Sequence, residues 1–329
     1  MVSQFLSLME KRMLKVRIGV APGSWDWING RGFFFEFVDA IEELGWDSLW
    51  LSDRLNSERI SLEPISALAA VAGRTEKIKF GTSVLALSIR NPAILAKSIA
   101  TVDYLSGGRF LPAVGLGSDD LTEYEATGRN KVHRAPLTDE AIVILRRLWT
   151  ENSVTHHGKF FQFDNLTIEP KPLFKPHLPI WIGGRTPKAW SRVARLGDGW
   201  IASSVTPNEV REGIQYIRAE SILNNRKIDD DHYGVLIPVY LADTKEEALK
   251  KIQINRAPTR NNVAISEYAA VGNPDDILNQ IGEYVAAGAS KFVLRLACQE
   301  KEAFFQLRNL SESISSPIHS GQILYGSSV

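Results

Sequence analysis

The sequence predicts a closed (β/α)8 barrel, an α/β fold in which eight parallel strands alternate with helices. Two observations predict it: the strand–helix alternation occurs eight times within 329 residues, and the strands are short and mostly apolar on both faces. Such strands are typical of parallel sheets that are covered by helices, and one barrel of this kind commonly exceeds about 250 residues. An open doubly wound sheet is the alternative, and the absence of Gly-x-Gly-x-x-Gly after the first strand disfavours its dinucleotide-binding form.

The elements follow in chain order. Apolar runs predict strands at 16–20, 48–52, 78–85, 110–115, 180–183, 199–202, 234–241 and 291–296. Helical spacing predicts helices at 33–44, 63–72, 92–105, 138–149, 187–196, 208–224, 244–254, 274–287 and 301–313. Gly45 and Gly73 stop the first two helices, and Pro92 suits the first turn of the third because that turn leaves its N–H groups unpaired.

Two segments interrupt the alternation. Residues 151–171 show partial polar–apolar alternation around a turn at Gly158, which predicts a β-hairpin insertion after the fourth helix. Residues 255–273 are irregular and are predicted to form a loop. We assign residues 1–14 to an N-terminal extension, 15–315 to a single barrel domain and 316–329 to a C-terminal tail.

Composition excludes several classes of function. The 38 basic and 38 acidic residues cancel, so no overall field favours nucleic acid or an anionic membrane. The single cysteine, Cys298, excludes an intrachain disulfide and a cysteine-rich metal site, and no other metal site is predicted. No apolar stretch of about 18 residues could span a bilayer. The N-terminus also lacks a signal-peptide pattern, so a cytoplasmic location is expected.

Barrel enzymes build their sites from the loops that follow the C-terminal ends of the strands. This rule selects Trp25 and Trp27 after the first strand, and Asp53 and Arg54 after the second. It also selects the glycine-rich run 115–120 after the fourth strand. An ordinary ion pair between Asp53 and Arg54, and packing of the two tryptophans in the core, are the alternative interpretations at this point.

The segment Gly183-Gly184-Arg185-Thr186-Pro187 follows the fifth strand and opens directly into a helix. Glycines let the backbone approach a ligand closely, and the free N–H groups of a helix start favour an anion. Arg185 and Thr186 add a charged fork and a hydroxyl. The segment therefore suggests a phosphate cradle. A tight turn with Thr186 as helix N-cap is the other interpretation, and the two are compatible.

Six segments in order match one family: residues 49–55 (LWLSDRL), 79–110 (containing GTSVL), 113–128, 140–149, 158–172 and 179–201 (containing IWIGGRTP). On these residues the chain resembles the luciferase-like superfamily of flavin monooxygenases and coenzyme F420-dependent oxidoreductases. The resemblance implies that the pair Ser83-Val84 forms a non-prolyl cis peptide against the cofactor ring. It also implies that Gly183, Gly184 and Arg185 lie at the cofactor phosphate.

The resemblance implies catalytic residues as well. Asp53 matches the acid of the family's Ser-Asp step, and Arg54 replaces a histidine that often follows it. Since arginine cannot act as a base near neutral pH, this replacement argues against sugar-phosphate dehydrogenase activity. Asp119 lies closest to the position of a glutamate near the reacting centre, and a pocket formed by Trp25, Trp27, Asp53 and Asp119 is expected. The further cofactor-binding candidates are Gly115, Gly117, Ser118, Ile182 and Thr186.

The resemblance implies hydride transfer between coenzyme F420 and a small organic substrate, which is a carbonyl, an alcohol or an activated alkene. The GTSVL bulge and the Ser-Asp step favour F420. An FMNH2-dependent two-component monooxygenase with a separate cofactor reductase is the alternative. A non-catalytic flavin-binding homologue is a third, and Arg54 would favour it. A homodimer is also implied, with helices near 60–71 and 94–104 at the contact.

Overall fold

The computed structural model describes residues 15–25, 27, 29–255 and 259–323. The predicted N-terminal extension, 1–14, and residues 324–329 of the predicted tail lie outside these residues. The strands are β1 (Arg17–Ala21), β2 (Ser48–Leu51), β3 (Lys79–Thr82), β4 (Leu85–Ala86), β5 (Phe110–Leu111), β6 (Ala113–Gly115), β7 (Val154–His157), β8 (Gln162–Leu166), β9 (Trp181–Gly183), β10 (Gly199–Ser203), β11 (Tyr233–Leu241), β12 (Ala270–Gly272) and β13 (Lys291–Leu296).

The parallel strands close into a ring of eight positions. β1 pairs with β2 on one side and with β13 on the other. The pairs continue from β2 to β3 and β5, and from β13 through β11, β10, β9 and β6 to β4. The third position is divided into β3 and β4, and the fourth into β5 and β6. The predicted barrel is therefore confirmed, and every strand of the ring ends at the same mouth.

Helices cover the outside of this ring. They are α1 (Gly30–Glu43), α2 (Pro64–Arg74), α3 (Pro92–Leu105), α4 (Leu121–Ala126), α5 (Arg134–Thr150), α6 (Pro187–Leu196), α7 (Pro207–Leu223), α8 (Lys245–Ile254), α9 (Pro274–Ala286), α10 (Ala303–Leu310) and α11 (Ser316–His319). Among the described residues, no helix is both long and apolar enough to cross a membrane.

The hairpin insertion is present, with β7 and β8 paired antiparallel. Two short elements were not predicted. α4 begins where the Asp120 side chain accepts a hydrogen bond from Thr122 N at 2.9 Å, and its six residues are too few to show helical periodicity. β12 lies inside the predicted loop 255–273 and pairs with β11, so that part of the loop prediction is wrong.

Large side chains fill the barrel interior because glycines leave room for them. Trp50 and Trp181 belong to the interior cluster. A methyl group placed on Gly199 would lie 2.6 Å from the Trp181 ring, a distance that real side chains do not tolerate. Below this layer the Lys291 ammonium contacts the Asp47 carboxylate and donates to Ser48 Oγ at 2.9 Å. The floor of the barrel is therefore packed and closed.

The first described residues of the predicted tail lie against the N-terminal end of the barrel. His319 in α11 accepts a hydrogen bond from Ile18 N at 3.0 Å, and Ile318 is buried. One turn of π-helix (Ser311–Ser315) connects α10 to α11 without a break. The domain boundary at 315 stays a prediction.

Candidate active site

A cavity of ≈ 520 Å³ opens at the C-terminal ends of β1, β2 and β13. The residues after β1 and β2 and a loop at 56–62 form most of its wall, and Ser83 and Arg295 complete it. We call this space the cavity. The strand-end rule thus places Trp25, Trp27, Asp53 and Arg54 in one wall, as the sequence predicts.

Trp25 and Trp27 are buried and also line the cavity. Their ring centroids lie 5.5 Å apart in an edge-to-face arrangement, and both rings pack against Phe33 of α1. Trp25 Nε1 donates to the Cys298 carbonyl at 2.8 Å, which ties the loop after β1 to the loop after β13. The two tryptophans are therefore packed in the core and also line the cavity, and their role in the reaction stays a prediction.

Asp53 pairs with Arg90 and not with its neighbour Arg54. Its side chain is 3% exposed, and its oxygens accept from Arg90 Nη2 at 2.9 Å and from Ala86 N at 2.9 Å. Burial on its own would lower the pKa of Arg90, but the carboxylates of Asp53 and Glu63 raise it above its ordinary value. Asp53 is thus fully engaged in holding β4, whereas Arg54 is exposed at the cavity rim.

The Ser83-Val84 peptide bond is cis, as the resemblance implies. Ser83 lines the cavity, and its Oγ is buried with no hydrogen-bond partner among the described residues. Val84 lies between two glycines: a methyl group on Gly115 or on Gly183 would meet its γ-carbons at 2.6 and 2.9 Å. We call Val84, Gly115, Gly183 and Gly184 the glycine cradle.

The segment after β9 has the turn and cap that the sequence predicts. Gly184 has φ +125°, a conformation that favours glycine, and its carbonyl accepts from Trp200 Nε1 at 2.7 Å. The Thr186 side chain caps α6 by accepting from Ala189 N, and Pro187 occupies the first turn. The exposed positions 184–186 leave a helix N-terminus open to solvent, a geometry that suits an anion.

A family model described as luciferase-like monooxygenase matches residues 28–264. The chain belongs to this luciferase-like family. It is 28% identical over 312 residues to an F420-dependent glucose-6-phosphate dehydrogenase from Amycolatopsis mediterranei, covering 85% of this chain and 92% of that one. It is 30% identical over 190 residues to an FMNH2-dependent dimethylsulfone monooxygenase from Pseudomonas putida, covering 56% of this chain and 51% of that one.

The barrel also matches solved structures of similar shape. An F420-dependent secondary alcohol dehydrogenase in complex with an F420-acetone adduct superimposes with a TM-score of 0.79 and 21% sequence identity. The match covers 93% of this chain and 99% of that chain. At this identity the likeness shows the fold. The predicted membership of the luciferase-like family is confirmed by the family model.

The structure does not bring Asp119 to the cavity. Its carboxylate is 82% exposed and pairs with Arg134 at 2.8 Å and Lys131 at 3.2 Å, and hydrogen bonds from these cations lower its pKa. The reason is local: the chain turns outward into α4 directly after Asp119. Asp119 is expected to lie near the reacting centre of this luciferase-like barrel, and its exposed position does not support that role.

Other residues after β6 and β9 serve the packing. Ser118 Oγ donates to Glu123 at 2.5 Å, and its carbonyl accepts from Arg134 at 3.0 Å. The Ile182 side chain is buried in the outer core, so only its backbone lies near the cradle. Gly117 has φ +83° and adjoins Ala86. These residues stabilise the loops around the luciferase-like site.

Sequence reasoning missed two charged residues. Glu123 is 2% exposed and accepts from Leu55 N at 3.0 Å and Asn56 N at 3.1 Å, which joins the loop after β2 to α4. Arg295 lies in β13 opposite Ala21 and faces the cavity. Alternation along β13 could have found it, because Val293 two residues earlier points into the barrel.

Proposed function

We propose that this chain is an oxidoreductase that transfers a hydride between coenzyme F420 and a small organic substrate. The observation that carries the proposal is the unpartnered Ser83 Oγ beside the glycine cradle, where Gly115 and Gly183 leave room for Val84. Similarity to the F420-dependent relative over most of both chains supports the same choice.

The residues fit an F420-type cofactor at two points. Ser83 and Val84 would stand against the ring, and the Ser83 hydroxyl would supply a hydrogen bond that no described residue takes up. Gly184, Arg185 and Thr186 would hold the phosphate through the N-terminus of α6. The loops beneath the cofactor would be those that contain Gly115, Gly117, Ser118 and Ile182. The cofactor, when bound, supplies the hydride chemistry.

The protein supplies orientation and excludes water. Trp25 and Trp27 close the cavity on the side of β1, where buried aromatic rings keep solvent from the reacting atoms. Asp53 holds β4 in place, because its oxygens bind Arg90 and Ala86 N. Arg54 at the rim is a cation and not a base. Asp53 and Arg54 are thus positioning and binding groups in this proposal.

An FMNH2-dependent monooxygenase is the second candidate, because the matched relatives include one such enzyme. That activity would require a separate reductase to supply the reduced cofactor. We also propose a cytoplasmic homodimer. Its contact would use the regions 60–71 and 94–104, where Ile60, Ile94 and Tyr104 are exposed apolar residues.

The test is a titration of the purified protein with oxidised F420 and, separately, with FMN, followed by the fluorescence of each cofactor. We expect F420 to bind and FMN to bind more weakly by about 10-fold or more. A preference for FMN would replace the first proposal with the second. Binding of neither cofactor would overturn both proposals and favour a non-catalytic homologue whose site has decayed.

A further inference from the structure

Arg295 is a partly buried cation of the barrel interior that has no partner among the described residues. It lies one residue before the end of β13, opposite Ala21 of β1 and Pro238 of β11, and it lines the cavity. No hydrogen bond or ion pair joins its guanidinium to any residue that the structure describes. Burial lowers its pKa below the ordinary value, and no neighbouring charge offsets that effect.

Three other buried or partly buried arginines in this protein have partners. Arg109 donates five hydrogen bonds to carbonyls and a hydroxyl of the loops around α2 and α3. Arg192 pairs with Asp139, and Arg90 with Asp53 and Glu63. Because removing a charge from water without a partner is costly, an unpaired interior guanidinium in a cavity wall is best explained by an anion that binds there.

The cavity wall does not supply that anion. Among the described residues of the wall, Asp53 is the one carboxylate, and it is committed to Arg90 and Ala86 N. Arg54 adds a second positive charge at the rim. Arg59 and several serines also line the wall, and Trp25, Trp27 and Ile60 form its apolar part. The described part of the wall therefore combines the unpaired Arg295 with two tryptophan rings.

We infer that the substrate of this enzyme carries a carboxylate, which binds to Arg295 while an apolar body packs against the tryptophan wall. A carboxylate matches one planar guanidinium, because two parallel N–H···O bonds form between the forks. A phosphate dianion would need more than one cation close to it, whereas Arg54 and Arg59 are exposed, and Arg59 donates to the Ser24 carbonyl. This inference rests on the proposed function and names the substrate class of the same site.

The test uses benzoate, the neutral isostere benzamide and inorganic phosphate as probes. Each is titrated into the full-length protein with and without F420, followed by tryptophan fluorescence and thermal shift. We expect benzoate to bind and benzamide and phosphate to bind far more weakly. In Arg295→Gln the benzoate affinity should fall about 30-fold or more, while the F420 affinity is unchanged. Arg295→Lys keeps the charge but loses the planar guanidinium fork. Its benzoate affinity should lie between those of the wild type and Arg295→Gln.

The control variant is Arg211→Gln, which removes an equally charged but exposed residue of α7; it should bind benzoate as the wild type does. Equal binding of benzoate and benzamide, preference for phosphate, or an unchanged benzoate affinity in both Arg295 variants would overturn the inference. So would a parallel loss of F420 affinity, since Arg295 would then be a cofactor contact. If the wild type fails to bind F420 but still selects benzoate, the proposed function fails and the anion site stands.

Discussion

The glycine cradle and the cavity share one barrel mouth but are built in opposite ways. The cradle follows β4, β6 and β9 and depends on glycines, which have no side chain. Val84 occupies the space that a methyl group on Gly115 or Gly183 would fill. The cavity, after β1, β2 and β13, is made by large and charged side chains, above all Trp25 and Arg295. In our proposal the cradle holds the cofactor and the wall of side chains selects the substrate.

The largest expected effect breaks the cradle. In Gly115→Ala and Gly183→Ala the new methyl group meets Val84 at 2.6 and 2.9 Å, so the cis segment must shift. Overpacking of this kind costs about 1–3 kcal/mol, and we expect F420 affinity to fall about 10- to 100-fold. The matched control is Gly32→Ala in α1, where nothing lies within 4 Å of the added methyl. Titration followed by F420 fluorescence measures the affinity of all three variants. Equal affinities would show that the cradle does not contact the cofactor.

The next effect tests the junction between cradle and cavity. Asp53→Asn leaves the partly buried Arg90 with only Glu63 as its anionic partner, and we expect a loss of about 2 kcal/mol in the free energy of unfolding. Asp39→Asn is the control, because Asp39 makes the same two-pronged contact to Arg74 on the surface; it should cost below about 1 kcal/mol. Urea unfolding followed by circular dichroism compares them. Equal losses would show that burial of the Asp53 pair has no energetic consequence.

The smallest effect concerns the tryptophan wall. Trp25→Phe removes the hydrogen bond to the Cys298 carbonyl, and we expect it to cost about 1 kcal/mol. Cys298 is the single cysteine, and burial raises the pKa of its thiol to about 12. The thiol therefore stays protonated at pH 8, and a thiol reagent should label the native wild type slowly and Trp25→Phe faster. Rapid labelling of the native wild type would mean that the cavity wall opens often enough to expose Cys298.

The barrel was predictable from the sequence because its strands and helices have clear periods. The helix starting at Pro92 begins and ends where the sequence places it, since its proline and cap act locally. The split of the third strand at Ser83-Val84 was known only through the family resemblance, because no local rule marks a non-prolyl cis bond.

The side-chain pairing of the site was harder to predict. The sequence offers Arg54 as the neighbour of Asp53, whereas the fold supplies Arg90 from 37 residues away. The resemblance of its loop to the family predicts Asp119 near the reacting centre. In the structure the chain enters α4 just after it, and its carboxylate pairs with Arg134 on the outside. Arg295 could have been found, since period-2 alternation puts it on the same face as Val293. Partners that are distant in sequence depend on the closed ring, which local patterns do not specify.

The most direct test of the division between cradle and cavity is a crystal structure of the protein with F420 bound. We expect the ring against Ser83 and Val84, the phosphate at Gly184–Thr186, and Arg295 free of cofactor contacts and open to the cavity. A ring stacked on Trp25 and Trp27, with the phosphate on Arg295, would contradict the account, because the cavity would then be the cofactor site.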